Sequence, residues 1–357
     1  MYPLSVSASA ASSATTNERP LALWLMICCA MIYAMVVLGG VTRLTGSGLS
    51  MVEWDPIFGV VPPLSEAEWE TTFDLYRASP EYQKINVGMD LHGFKQIYWF
   101  EFAHRLLGRA IGLVFLLPFL YFLFTGRIRR SLIPKLVMLF VLGGLQGGLG
   151  WYMVKSGLVN NPHVSQYRLT AHLGTALAIY SYMLWVSLSL WTNASGTTPA
   201  PAPRGLRRFA AALGGLVFVT ALSGGFVAGL KAGFAYNTFP LMDGHWIPEA
   251  MFLQSPLWRN FFENIATVQF DHRLLATLVF AGCLSFWLVA RPHALPTSAR
   301  LGVHALLAAA VLQVSLGIST LLLHVPTPLA AMHQAGALLL LTVILLVNHR
   351  LRYAPQD

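Results

Sequence analysis

One phrase is written twice in this chain: Glu101-Phe102-Ala103-His104-Arg105-Leu106-Leu107 returns as Gln269-Phe270-Asp271-His272-Arg273-Leu274-Leu275, each time at the mouth of a long apolar run. Two further histidines, His172 and His333, open later apolar runs in the same way. Two neutral imidazoles from facing helices can hold a haem iron between them inside a helical bundle. Tetrahedral zinc calls for more ligands close together, and neither HxxxH nor HxxE spacing occurs among these four. A single histidine at a helix start is ordinarily an interfacial or hydrogen-bonded residue. Four at corresponding places outweigh that explanation, because ionisable groups in a bilayer are costly, about 2.5–3.5 kcal/mol for a mid-span Arg, Lys or Asp. His92, His163, His245, His293, His304, His324 and His349 lack this regularity.

The neighbours of the histidines separate the two copies. Glu101 lies three residues before His104 and on the same helical face, where the second copy has Gln269. Only the first copy has a group able to accept a proton or stabilise positive charge beside a macrocycle. This makes Glu101 the candidate catalytic residue and places a resident haem in the carboxy-terminal half. A capped or solvated Glu101 is the competing explanation. Arg105 and Arg273 follow the histidines directly, and Arg109 stands a turn further on. Their guanidinium forks suit haem propionates, against plain snorkelling to the interface.

These side chains need a frame that spans a bilayer. With 55% hydrophobic and 11% charged residues over 357 positions, the chain has more apolar surface than one water-soluble core can bury. Runs long enough to cross about 30 Å of hydrocarbon as helices occur near 21–41, 106–125, 134–154, 171–191, 208–230, 272–290, 302–323 and 329–348. They predict an all-α membrane protein with eight spans. The formal charge of +8 is concentrated in every second loop: Arg127, Arg129, Arg130 and Lys135; Arg204, Arg207 and Arg208; Arg291 and Arg300; Arg350 and Arg352. By the positive-inside rule these loops and both termini are cytoplasmic, so the four histidines lie near the periplasmic side. Basic residues spread over four loops form no phosphate-binding stripe, which argues against a nucleic-acid partner. The first 20 residues lack signal-peptide features and hold a single arginine, Arg19, which favours a bacterial inner membrane over a mitochondrial presequence. Cys28, Cys29 and Cys283 fall inside spans and form no disulfide framework.

The chain divides into a flexible tail over 1–20, four spans over 21–195, a Pro-rich linker over 196–207, four spans over 208–348 and a tail over 349–357. Landmarks recur in order: Gly39-Gly40 with Gly224-Gly225, His104 with His272, Gln146 and Gly150 with Gln313 and Gly317, His172 with His333. Such a repeat predicts two pseudo-symmetric four-helix bundles of like orientation. The halves differ most in the outer loop 42–97. There Ser65 and Glu68 have capping-box spacing, and Trp69, Phe73 and Tyr76 follow at helical intervals, predicting a short amphipathic helix on the outer surface. Tyr98, Trp99 and Phe100 have the look of an interfacial aromatic belt. GxxxG spacing at Gly143/Gly147 and Gly144/Gly148 offers close helix packing or room for a flat macrocycle, packing being the simpler, and permits a homo-oligomer.

With these motifs the chain resembles the haem A synthase family, the CtaA and Cox15 group, over nearly all of 21–348. The resemblance is carried by the stretch from Gly39 to Met51 leading through Trp54 and Pro56 to Pro62-Pro63, by Glu101 to Arg109, and by the duplicated histidines. It implies an eight-helix membrane enzyme that oxidises a methyl group of haem O to the formyl group of haem A for terminal oxidases, through an alcohol and a geminal diol. It implies His272 and His333 as the ligands of a bound haem B, His104 and His172 as ligands of the substrate haem iron, and Glu101 as the essential acidic residue. Haem O synthase and oxidase assembly factors are the partners it suggests. No cysteine occurs between 42 and 97, which resembles the proteobacterial and mitochondrial branch and speaks against a mechanism that needs a loop thiol. Two rivals use the same histidines: a di-haem cytochrome b that relays electrons, and a non-enzymatic haem carrier or assembly chaperone.

Overall fold

A computed structural model describes residues 18–53, 59–157, 164–194 and 201–352. Its helices are, in order, α1 (Arg19–Leu44), α2 (Glu66–Arg77), α3 (Pro80–Lys84), α4 (Leu91–Phe124), α5 (Ile133–Gly157), α6 (Gln166–Ala194), α7 (Arg204–Gly229), α8 (Asn260–Glu263), α9 (Ile265–Ala290), α10 (Thr297–Leu322) and α11 (Thr327–Arg352). All but α2, α3 and α8 are long and apolar enough to cross a membrane, which gives eight candidate spans. No strand occurs among the described residues. The chain is an all-α, multi-pass membrane protein. Most of the tail 1–20, Trp54, Pro56, His163, the linker's 196–200 and the last five residues lie outside the described residues.

Helix ends run past the apolar runs that announce them. α4 begins at Leu91, not near 106, because the Asp90 carboxylate accepts the Gly93 N–H at 2.8 Å and the following turns pack on protein. α9 begins at Ile265, where the Asn264 side chain accepts the Thr267 N–H at 3.1 Å. Each of the four histidines therefore lies more than one turn inside its helix, not at the mouth. Likewise α1 continues to Leu44, so the first long connection is 45–90, shorter than 42–97. α7 starts at Arg204 behind an extended Pro203, which moves Arg204 and Arg207 from the linker into the helix. α11 continues to Arg352, with Arg350 and Arg352 complementing the negative end of its dipole. Hydropathy marks the stretch that sits in hydrocarbon, whereas caps mark the helix.

α1 packs on α4 and α6, and α5 on α4 and α6; α7 packs on α9 and α11, and α10 on α9 and α11. Across the middle, α1 meets α11, and α6 meets both α7 and α11. There the Tyr33 hydroxyl donates to Ala335 O at 2.7 Å, Gln334 Nε2 donates to Val36 O at 2.6 Å, and Tyr180 and Thr342 share a 2.7 Å hydroxyl bond. Polar contacts of this kind hold helices together where lipid removes the hydrophobic drive.

A second core sits at the histidine end. The expected capping box forms at Ser65 and Glu68, and α2 buries Trp69, Phe73 and Tyr76 against Phe94, Ile97, Tyr98 and Phe102 of α4. The Phe73 and Phe94 ring centres stand 5.0 Å apart, and Trp69 and Tyr98 4.9 Å. Tyr98, 5% exposed, thus belongs to this core and not to an interfacial belt, whereas Trp99 at 46% and Phe100 at 38% do face outward. The helix packing expected at Gly143, Gly144, Gly147 and Gly148 is also not found within the chain, since a Cβ at any of them would meet nothing within 4 Å.

Candidate functional site

Each of the four histidines rests against a glycine of the preceding span. A Cβ at Gly39 on α1 would stand 3.2 Å from His104 Nε2, and at Gly150 on α5 3.1 Å from His172 Cε1. A Cβ at Gly224 on α7 would stand 3.2 Å from His272 Cε1, and at Gly317 on α10 2.8 Å from His333 Cε1. These distances are below ordinary van der Waals contact, so any other residue would push the imidazole out of its seat. The four glycines lie within two turns of the ends of their helices, which places all four rings at one end of the molecule.

In the carboxy-terminal group the His272 and His333 ring centres are 6.5 Å apart. Two metal–nitrogen bonds of about 2 Å, plus roughly 1 Å from each nitrogen to its ring centre, come to roughly 6 Å, so the spacing fits one iron held from both sides. Ser223 Oγ bonds His272 Nδ1 at 2.8 Å; Gln313 Nε2 lies 3.1 Å from His333 Nδ1 and donates to His333 O at 3.0 Å. The Ser223 hydroxyl can accept the Nδ1–H of His272, which leaves Nε2 as the ligating nitrogen and fixes the ring, as outer-shell partners of metal-bound imidazoles do; the Gln313 amide nitrogen is a donor and positions His333 through its backbone carbonyl. In the amino-terminal group Gln146 Nε2 donates to His172 O at 2.9 Å, and His172 Nδ1 is buried with no hydrogen-bond partner. Among the described residues no three His, Cys, Asp or Glu side chains gather as a bare-ion site. The carboxy-terminal imidazoles face each other as a pair, which suits haem iron.

Glu101 and Gln269 turn out to fasten the connections that cross the histidine end. Glu101 is 2% exposed, and it is neither solvated nor a helix cap. Its Oε1 accepts Arg105 Nη2 at 2.6 Å and Nε at 3.1 Å; its Oε2 accepts the Ser50 hydroxyl at 2.7 Å and the Met51 N–H at 2.8 Å. Arg105 also donates to Met51 O at 2.8 Å and Glu53 O at 2.9 Å. Gln269, 3% exposed, donates from Nε2 to Ala232 O at 2.7 Å and Ala235 O at 2.5 Å, and accepts Arg273 Nη2 at 3.0 Å. Arg273 donates further to Tyr236 O at 2.6 Å and Thr238 O at 2.9 Å, while its Nε is buried without a partner. Arg109 lies one turn beyond Arg105 on α4.

Gln146 and Gln313 were visible as a repeat but not as ring-positioning groups, and Ser223 carried no signal beyond its place beside the repeated glycines. A buried carboxylate in the first connection also escaped notice. Glu81 accepts the Tyr76 hydroxyl at 3.3 Å, and Asn86 donates to that hydroxyl at 2.7 Å. Burial, aided by the charge of Glu101, pushes the Glu81 carboxyl up to about 7. His349, outside the repeat, is a packing residue between the Trp185 ring at 5.1 Å and Ser189 Oγ at 3.3 Å.

The profile of the COX15-CtaA family, described as "Cytochrome oxidase assembly protein", matches residues 22–345. A protein of Nitrosospira multiformis named "Heme A synthase" is 58% identical over 94% of this chain and 94% of its own. One of Nitrosomonas eutropha with the same name is 53% identical over 97% of this chain and 98% of its own. "Heme A synthase COX15" of Homo sapiens is 48% identical over 95% of this chain and 84% of its own.

Proposed function

We propose that this chain, which belongs to the COX15-CtaA family of cytochrome oxidase assembly proteins, makes haem A from haem O by oxidising one methyl substituent to a formyl group. The observation that carries the reading is the set of four imidazoles on glycine seats, two in each group of four helices, at one end of the membrane. The substrate haem belongs to the amino-terminal group, 21–195, with its iron between His104 and His172. A resident haem B belongs to the carboxy-terminal group, 208–348, between His272 and His333, where it supplies a one-electron carrier when bound.

Glu101 is the acidic group beside the substrate site. Held in an ion pair with Arg105, it stabilises positive charge developing on the substrate or takes up protons released as the methyl group is oxidised. The cationic ends of Arg105, Arg109 and Arg273 supply a positive field for haem propionates, the first and last while fastened to the outer connections. The histidine end faces the periplasm of a bacterial inner membrane and both termini the cytoplasm, with haem O received from haem O synthase and the product passed to oxidase assembly factors. Two successive two-electron oxidations, each adding one oxygen from water to the methyl carbon, releasing two protons and passing two electrons to an external acceptor, lead through an alcohol to a geminal diol that loses water.

The deciding experiment extracts pigments from membranes of a haem O-producing host with and without the chain and identifies the porphyrins by mass. Haem A appearing only with the chain is the expected result. Two bound haems with no new porphyrin would make it an electron relay, and haem O returned unaltered a carrier.

A further inference from the structure

We infer that the end of the molecule opposite the histidines carries a binding site for a phosphate-bearing anion, the head group of an acidic phospholipid. Arg204, Arg207 and Arg208 share one face of the first turns of α7, and with Arg352 from the end of α11 they line a cavity of about 540 Å³. The two helix ends are tied together: Ala202 N–H donates to Leu351 O at 2.9 Å, and Asn348 Nδ2 donates to Ala210 O at 2.9 Å. Arg352 is further held over the Trp185 ring, 5.2 Å from its centre. The site is thus built from two fixed backbones, about 30 Å along α7 from the Gly224 seat.

Topology alone explains basic loops but not this convergence. In the other basic loops Arg129 pairs with Glu18 at 2.5 Å, Arg127 lies over the Tyr121 ring and Arg291 over Trp287, and among the described residues no cavity gathers their charges. Glu18, the acidic residue at this end among those described, is therefore already committed. None of the four cavity arginines forms an ion pair with a described carboxylate, and Arg207 Nε is buried without a hydrogen-bond partner. Like charges one turn apart repel, and a phosphate accepting from several guanidinium forks relieves that repulsion. A helix N-terminus adds N–H donors and a positive dipole end. The cavity opens at the level where spans leave the membrane, so the abundant phosphate there is a lipid head group.

The test follows thermal unfolding of the purified full chain in mild detergent as phosphatidylglycerol, phosphatidylcholine or inorganic phosphate is added. Phosphatidylglycerol is expected to raise Tm and phosphatidylcholine to leave it unchanged. The R207Q/R208Q variant should need roughly 30-fold more phosphatidylglycerol for the same shift. R291Q/R300Q, which removes equal charge elsewhere, should respond as the unaltered chain does. R207K/R208K keeps the charge without the fork and should fall between. An unchanged haem spectrum in R207Q/R208Q reports that it folds. A response to inorganic phosphate with none to phosphatidylglycerol overturns the lipid source in favour of a soluble phosphate. Equal responses of R207Q/R208Q and the unaltered chain, or no response to either ligand, overturn the site.

Discussion

The two halves seat their histidines alike and surround them differently. Where His272 has the Ser223 hydroxyl on its Nδ1, the corresponding place beside His104 is Leu38. Where α5 presents Gly143, Gly144 and Gly147, with nothing near them, α10 has Ala310, Val311 and Val314. In the second group a hydroxyl ties one ring and side chains stand where the first has only glycine, whereas the α5 glycines of the first lie at its exposed surface. The Glu101 and Gln269 difference follows partly from the connections themselves. The first presents donors, Ser50 O–H and Met51 N–H, and needs an acceptor; the second presents the Ala232 and Ala235 carbonyls and needs a donor. A carboxylate at position 101 therefore has a structural task as well as any chemical one.

The comparison is broken most directly at the ligands. His272→Ala or His333→Ala should remove essentially all resident haem, measured as pyridine haemochrome in the purified protein. His104→Ala should leave that haem in place and abolish conversion of haem O. Equal loss of bound haem from replacements in both halves would mean the halves do not divide the work.

Next in size is the exchange of the two fasteners. Glu101→Gln leaves Arg105 buried beside an amide, a change of the kind that costs about 3–5 kcal/mol when a buried pair is broken. The Met51 and Glu53 carbonyls still hold Arg105 and keep the effect at the lower end. Haem A should fall below detection while haem B stays bound; an unchanged yield of haem A would remove Glu101 from the chemistry. Gln269→Glu turns an acceptor toward two carbonyls, which leaves them without their donor at a cost of about 1–3 kcal/mol, and should be read as haem B leaking during purification.

The first half has a buried aromatic core over its histidine end, and Glu81 makes that core sensitive to pH. Its carboxyl is raised to about 7, so the folded core favours the protonated form. The stability this form contributes is complete below the ordinary value of 4.5 and is lost as pH rises through about 7. A shift of this size corresponds to at most about 3 kcal/mol. Protease cutting within 59–90 should be faster at about pH 8 than at about pH 5, and Glu81→Gln should remove the difference. Equal cutting at both values in the unaltered chain would place the carboxyl in water.

Much of this was legible in the sequence because it is local or repeated. Span number follows from apolar run length, the α2 start from the spacing of Ser65 and Glu68, and the four histidines from their order in the repeat. The glycine seats were legible as recurrence, though not as neighbours of the rings, because a close approach between helices has no signature in either helix alone. The early start of α4 was hidden since Phe94, Tyr98 and Phe102 are stabilised by Trp69 and Tyr76, distant in the chain. The open face at Gly143 and Gly147 read as packing because GxxxG spacing says how near a neighbour can come, not whether one is there. The polarity of the two connections was hidden for a similar reason: Ser50 and Ala232 do not announce which backbone group they turn toward α4 or α9.

The finest probe of the comparison is the repeated glutamine. Gln313 donates to the backbone carbonyl of His333 and stands 3.1 Å from that ring's Nδ1, whereas Gln146 donates to the His172 carbonyl and stands 3.5 Å from that ring's Nε2. Outer contacts that position a ligating imidazole fix its ring orientation, and losing one typically costs about 10–100-fold in metal affinity. Gln313→Leu should therefore weaken haem B retention by about tenfold and move its midpoint potential in a redox titration. Gln146→Leu should leave that potential where it was and change only the substrate concentration needed for half-maximal haem A formation. If both replacements moved the potential equally, the two sites would share one haem environment, and the division between a resident and a transient macrocycle would have to be abandoned.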